Sequence, residues 1–489
     1  MRIVKHRAAG VAAITVAVAL LAAGCGVEVG NGGATVKGTG DVIGSATPAS
    51  TTTPATTTTA PPPTDIDVEG LVPSEENDTA INAIADLQRW WKTEFPKVYD
   101  DPYEPVAGGF FALDSNTDPS GVPCSPPSIE DVLYNAYYCP DDDAVAWDQE
   151  GLMPDLAEQY GPFTVAVVLA HEWGHAIQER ASVREPTVVT ELQADCFAGA
   201  WSKHVADGED TRFSVTTEDL DRALAGILSL RDAPGQLSDD PNAHGSGFDR
   251  VGAFQEGFED GSLRCAEYNT GDPKPFQFQF NDDSDVASGG DMPLDDVSAD
   301  EQGINTAAFD SLDAFWKLTF PEISGGEAWK PLNDPVAFSS SDPPSCNGEV
   351  VKDYLLFLCV PDRYIAFDNE STIPDVYKEG GDFAVAALYA TQYGLEVQQQ
   401  LGDATSDEVT ATLRGDCYAG AWSAALLPPE PFEEEGLVLS PGDLDEAVGV
   451  MLSFRSEADR DRQGPGFGRV SAFRRGVLKG AESCADIGS

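Results

Sequence analysis

The chain has 489 residues, 42% of them hydrophobic, and a formal net charge of −54. That apolar content supports real cores, and the length behind the N-terminal segments suffices for two or three domains. No basic stripe offsets the acidity, which excludes nucleic acid as an expected partner.

Arg2, Lys5 and Arg7 make a basic start, an apolar run follows from Ala8 to Ala23, and "LLAAGC" sets small residues before Cys25. This reads as a secretory signal peptide over 1–24. Its end resembles a bacterial lipobox, with Ala22 where leucine is usual. The run is about 16 residues, short for an uncleaved span of ~20. The expectation is export, with lipid modification of Cys25 anchoring the protein to the outer face of the bacterial cell membrane. Residues 25–64 include "ATPASTTTPATTTTAPPPT", which has almost nothing to bury and reads as a disordered tether.

Coarse patterning predicts helices over about 77–95, 161–180 and 187–204, and a strand at 143–148. A further amphipathic helix is expected in "TTEDLDRALAGILSLRD" (216–232), which opens on a Thr cap pattern. "FQFQF" (276–280) alternates like a strand and is expected to pack onto a neighbouring domain. It lies in an acidic, Gly-rich linker over 269–300. Beyond the linker the chain repeats itself. "YYCPDDDAVAWD" (137–148) matches "FLCVPDRYIAFD" (357–368), and "ELQADCFAGAW" (191–201) matches "TLRGDCYAGAW" (412–422). "LDRALAGILSLR" (220–231) matches "LDEAVGVMLSFR" (444–455), and "HGSGFDRVGAF" (244–254) matches "QGPGFGRVSAF" (463–473). With the helix at 81–96 matching 304–321, five blocks recur in order at an offset of about 219 to 225 residues. That is the period of a duplicated domain.

Each half carries four cysteines: Cys124, Cys139, Cys196 and Cys265, then Cys346, Cys359, Cys417 and Cys484. In an exported chain these suggest disulfides, with three pairings open in each half. The favoured set joins Cys124 to Cys139 and Cys346 to Cys359, stapling a loop that leads into a strand. It also joins Cys196 to Cys265 and Cys417 to Cys484, pinning a central helix to the end of its domain.

The chemistry concentrates in "LAHEWGHAIQ" (169–178). His171 and His175 are four apart on a helical pattern, so both imidazoles leave one face and can share a zinc ion. Glu172 projects toward the same cleft as a candidate base, completing H-E-x-x-H. "ELQAD" supplies Glu191 as a third ligand, and Asp195, one turn later, can fix a ligand histidine's tautomer. His244, in a Gly-rich loop, is a candidate for stabilising an oxyanion. His204 is expected at the surface, and Asp141–Asp143 as a solvated turn.

Through "LAHEWGHAIQ", "ELQADCFAGAW", "YYCPDDDAVAWD" and "AHGSGFDRVGAF", residues of about 75–268 resemble the bacterial family of putative neutral zinc metallopeptidases. The resemblance implies a gluzincin-like enzyme with one zinc ion in the first domain. Its ligands are His171, His175 and Glu191, and Glu172 is the general base for a zinc-activated water acting on a peptide or protein substrate. The pattern of elements reads as helix-dominated α+β, and the resemblance makes it a zincin-like metallopeptidase domain over 65–268 with a homologous one over 301–489. The second lacks metal ligands, with Thr391, Gln392, Leu395, Thr412 and Gln463 at the positions of His171, Glu172, His175, Glu191 and His244. Asp416 and Arg469 persist where Asp195 and Arg250 stand. The second domain then reads as a pseudoenzyme that positions substrate or regulates the first. The competing reading is a surface scaffold lipoprotein whose zinc is structural or vestigial, and a peptidoglycan or ester hydrolase is a third. Substrate preference and oligomeric state are not written in the sequence.

Overall fold

The computed structural model describes residues 42–46 and 58–488, except 186, 209–210, 239, 241–242, 270–271, 278, 281–288, 299–301, 429–436 and 455–460. The segment read as a signal peptide, Cys25 and most of the stretch read as a tether lie outside the described residues. Two short strands fall within the stretch read as tether, β1 (Val42–Ala46) and β2 (Thr58–Thr59).

The molecule is a helix-dominated α+β fold. After β3 (Val68–Glu69), helix α1 (Glu75–Tyr99) starts at Ser74, whose hydroxyl accepts the Asn77 amide at 3.1 Å. Glu75, Glu76 and Asp78 sit at the positive end of its dipole. Strands β4 (Gly109–Leu113), β5 (Ala136–Cys139) and β6 (Ala144–Asp148) join β3 in a sheet of order β3-β4-β6-β5. β5 is antiparallel to β6 and forms the sheet edge, while the other pairs are parallel. Helix α2 (Leu152–Tyr160) leads through Gly161 at φ 86° into α3 (Pro162–Ala181). Pro162 opens α3 where no amide donor is needed. Then follow α4 (Thr187–Ala206), β7 (Phe213–Ser214) pairing with β2, α5 (Thr217–Ser229), α6 (Gly247–Asp260) and α7 (Ser262–Ala266). The expected Thr cap on α5 is a capping box between Thr216 and Asp219.

Close helix contact brings the chemical side chains together. A Cβ on Gly174 would lie 2.6 Å from the Ala194 Cα, so only glycine lets α3 meet α4 backbone to backbone. All four disulfides join the favoured pairs, with Cys196–Cys265 tying α4 to α7.

After the connection the same succession of elements appears. Helix α8 (Ile304–Ile323) precedes β8 (Val336–Phe338), the short β9 (Ser345–Cys346) and β10 (Glu349–Val350), β11 (Tyr354–Cys359) and β12 (Tyr364–Asp368). Helices α9 (Thr372–Gly380), α10 (Asp382–Leu401), α11 (Glu408–Ala425), α12 (Asp443–Ser453) and α13 (Gly466–Lys479) complete it. This second sheet runs β1-β11-β12-β8, so the edge of β11 carries β1 in antiparallel pairing. One apolar core extends through both halves. Across their boundary, Asp221 on α5 accepts the Gly466 and Phe467 amides at 3.1 and 2.7 Å, capping α13. In return, Asp445 on α12 accepts the Phe248 amide of α6 at 2.7 Å.

Three local expectations change. The described residues of "FQFQF" form no strand. The Phe276 amide donates to Asp249 at 2.8 Å and its ring meets Phe248 edge-on, so a carboxylate takes the donor a ladder would need. His204 is half-buried and stacked on Trp90, where a surface residue was expected. The Asp141–Asp143 turn is not simply solvated, because Asp143 receives the Arg180 guanidinium at 2.9 Å and the Tyr138 hydroxyl at 2.8 Å.

Candidate metal centre

His171 and His175 leave α3 one turn apart and meet Glu191 on α4. His171 Nε2 is 3.2 Å from His175 Nε2 and 3.2 Å from Glu191 Oε2, and His175 Nε2 is 3.4 Å from Glu191 Oε1. Ligand atoms held tetrahedrally at ~2.0–2.1 Å from zinc stand ~3.3 Å apart. The triangle therefore has the dimensions of three zinc ligands with the fourth position left open.

The far nitrogens fix both tautomers. His171 Nδ1 lies 2.7 Å from Asp195 Oδ1, and His175 Nδ1 lies 2.9 Å from Gln178 Oε1. Each ring donates outward, which turns a bare Nε2 inward toward a metal. Gln178 is itself anchored, donating to the Thr190 carbonyl at 2.6 Å. Asp195 is clamped by Arg250, whose Nε and Nη2 donate at 2.8 and 3.0 Å.

Electrostatics favour positive charge at this point. Burial works against ionised histidines, yet Asp195 and Glu191 overcome it and raise His171 to about 10. His175 is raised the same way, against burial, mainly by Glu191. Glu191 is held well below the usual carboxylate range, since the two imidazoles outweigh its burial. A divalent ion supplies the same charge while leaving the imidazoles neutral, so the donor set fits zinc.

Glu172 is buried beside the triangle, and burial raises its proton affinity. Its Oε2 accepts the Tyr138 amide of the edge strand β5 at 3.0 Å. His244 lies on the same cleft of about 590 Å³, with its backbone amide on Asp232 at 2.9 Å and Nδ1 3.5 Å from that carboxylate. All six residues singled out from the sequence line this one cleft. Gln178, Tyr138 and Asp232 were not foreseen as orienting groups. A signal for the first existed, since Gln398 stands at the same place in the second half and makes the same inter-helix bond, to the Ala411 carbonyl at 2.9 Å.

At the matching place in the second half, Thr391 Oγ1 donates to Asp416 Oδ1 at 2.9 Å, and Arg469 grips Asp416 at 2.8 and 2.9 Å. Gln463 accepts from Arg469 at 3.2 Å, and Leu395 is buried. The aspartate–arginine pair thus stands in both halves, with a histidine attached to it in one and a threonine in the other.

Two histidines from one helix, a glutamate from the next and a carboxylate beside the first histidine make the donor set of an H-E-x-x-H zinc centre. Residues 57–268 match the model of the family described as putative neutral zinc metallopeptidase. The uncharacterized protein Rv2575 of Mycobacterium tuberculosis is 28% identical over 179 residues, 31% of this chain and 60% of that protein. The uncharacterized protein YpfJ of Escherichia coli K12 is 30% identical over 153 residues, 26% of this chain and 52% of its own length. The chain therefore spans about 60% or less of the curated relatives it matches. No solved structure matches it.

Proposed function

We propose that this protein is an exported, lipid-anchored metallopeptidase whose first half hydrolyses peptide bonds and whose second half is a non-catalytic partner. The observation that carries this reading is the ligand triangle with Glu172 held beside it by the edge strand. His171, His175 and Glu191 would hold one zinc ion, which when bound supplies Lewis acidity to a carbonyl and acidifies a water. Glu172 takes the proton from the attacking water and delivers it to the leaving amine. His244, at the side of the cleft, donates to the oxygen that becomes negative on the carbonyl. A peptide substrate is favoured because β5 borders the cleft with its outer edge free of a paired strand among the described residues. An extended chain can add there by backbone hydrogen bonds. The test is cleavage of a peptide library by the protein with and without a zinc chelator. Cleavage should vanish with the chelator and return with zinc. A zinc-loaded protein that cleaves nothing would support the scaffold reading instead.

The ligand assignment has its own check. Glu191→Ala should strip zinc almost completely, whereas Asp195→Asn, which keeps the site's shape, should weaken binding by about 10–100-fold. Equal zinc retention, read by metal analysis after dialysis, would mean the third ligand is another residue.

Two observations support an active part for the second half. Asp445 caps α6, the helix that carries Arg250, so it stands three links from His171 through Arg250 and Asp195. The edge of β11 holds an extended segment, β1, as β5 would hold a substrate. Asp445→Ala leaves buried amides unpaired and should lower stability by about 1–3 kcal/mol. A 58–268 fragment should retain zinc poorly and work more slowly than the whole. A fragment that holds zinc and matches the intact protein in rate and substrate choice would remove any role for the second half.

A further inference from the structure

Away from the cleft, the connection between the halves crosses the starts of α10 and α12, where acidic side chains crowd together. One carboxylate oxygen each from Asp291, Asp382 and Glu446 lie within 4.8 Å of one another. Asp443, buried beside them, feels the negative charge of all three. Asp382 and Asp443 are only 4% and 5% exposed. Among the described residues none of the four has an ion-pair partner. Asp382 gives one oxygen to the Met292 amide at 2.8 Å, while its other oxygen, Oδ1, is enclosed without any donor. Burial, and after it the neighbouring acids, push Asp382 to about 7 and Glu446 to about 9.

Buried carboxylates left unpaired are strongly unfavourable, and a half-satisfied polar cluster calls for a counter-charge. Among the described residues the first half gathers no such carboxylate group at this place. Pro162 follows Gly161 where Asp382 follows Gly381, and Arg222 stands in "LDR" where Glu446 stands in "LDE". Arg222 there pairs with Glu218 at 3.2 Å. The acidic constellation is therefore particular to the half that carries no histidine.

The donors are all carboxylate oxygens, which select a hard cation. Three oxygens spread evenly at ~2.4 Å around one calcium ion stand ~4.2 Å apart, so a set already within 4.8 Å needs only small side-chain adjustment to share one coordination sphere. Calcium tolerates irregular geometry, whereas magnesium requires a near-ideal octahedron. We propose that Asp291, Asp382 and Glu446 form a calcium site that ties the connection between the halves to the starts of α10 and α12. Glu446 is the neighbour of Asp445, so the bound ion also steadies the turn of α12 that caps α6 in the first half.

The test is calorimetric titration of calcium into the intact, zinc-loaded protein, wild type beside Asp291→Asn and Asp382→Asn. The expected result is one calcium per chain with a dissociation constant on the order of 0.1–1 mM, as in extracellular sites. Each variant should weaken binding by about tenfold or more, because affinity follows the charge of the ligand set. Thermal unfolding supplies a second readout. Calcium should stabilise the wild type and leave Asp382→Asn unmoved, and without calcium Asp382→Asn should be at least as stable as the wild type, one crowded charge being gone. Absence of calcium binding by the wild type, binding by both variants as tight as that of the wild type, or an Asp382→Asn variant less stable than the wild type without calcium would overturn the site.

Discussion

Replacing Glu172 by Gln is expected to leave one zinc ion per chain while lowering peptide hydrolysis by about 10²–10⁴-fold, the range for loss of a positioned acid–base group. The two losses separate because Glu172 is no member of the ligand triangle. Its carboxylate is held by the Tyr138 amide at 3.0 Å, and an amide oxygen in its place can still accept that bond. Geometry is thereby kept and proton transfer removed. Metal analysis and initial rates on one preparation decide the matter. Near-wild-type cleavage would sink the assigned mechanism, and loss of zinc would mean that Glu172 also shapes the ligand set.

The second large effect concerns a pair of aspartates. Asp195→Ala strands the Arg250 guanidinium, whose side chain is 5% exposed, and should cost about 3–5 kcal/mol of stability. Asp416→Ala strands Arg469 in the same way and should cost a similar amount, although no imidazole is involved. Only the first substitution should also impair zinc retention, since only Asp195 orients a histidine. Denaturant unfolding of both variants, paired with zinc content, distinguishes the two contributions. A nearly neutral Asp416→Ala would show that the buried ion pair is not part of the common frame.

The H-E-x-x-H motif was legible because its geometry is local: four residues on a helix place two imidazoles on one face, and "ELQAD" repeats that spacing one helix later. The cysteine framework was legible because its spacing recurs in both halves, while the choice among three pairings in each half rested on the fold. What could not be read depends on contacts between distant segments. The hold of Tyr138 on Glu172 joins residues 34 apart, and that of Asp445 on Phe248 joins residues 197 apart. "FQFQF" misled because alternation reports which faces are apolar, while ladder formation requires free neighbouring donors and acceptors. The acidic cluster was invisible for the same reason. Asp291 reads as part of a polar linker until the fold sets it against Asp382 and Glu446.

The reciprocal grip of Asp221 and Asp445 has a genetic consequence. In a symmetric dimer one gene writes both sides of the interface and both clefts, so no site can change without its twin changing too. Here the two sides are written separately in one chain. Thr391, Leu395 and Thr412 stand in one half and His171, His175 and Glu191 in the other, while an aspartate binds the halves together from each side. Two sides written separately are free to differ, as the two sides of a symmetric dimer are not.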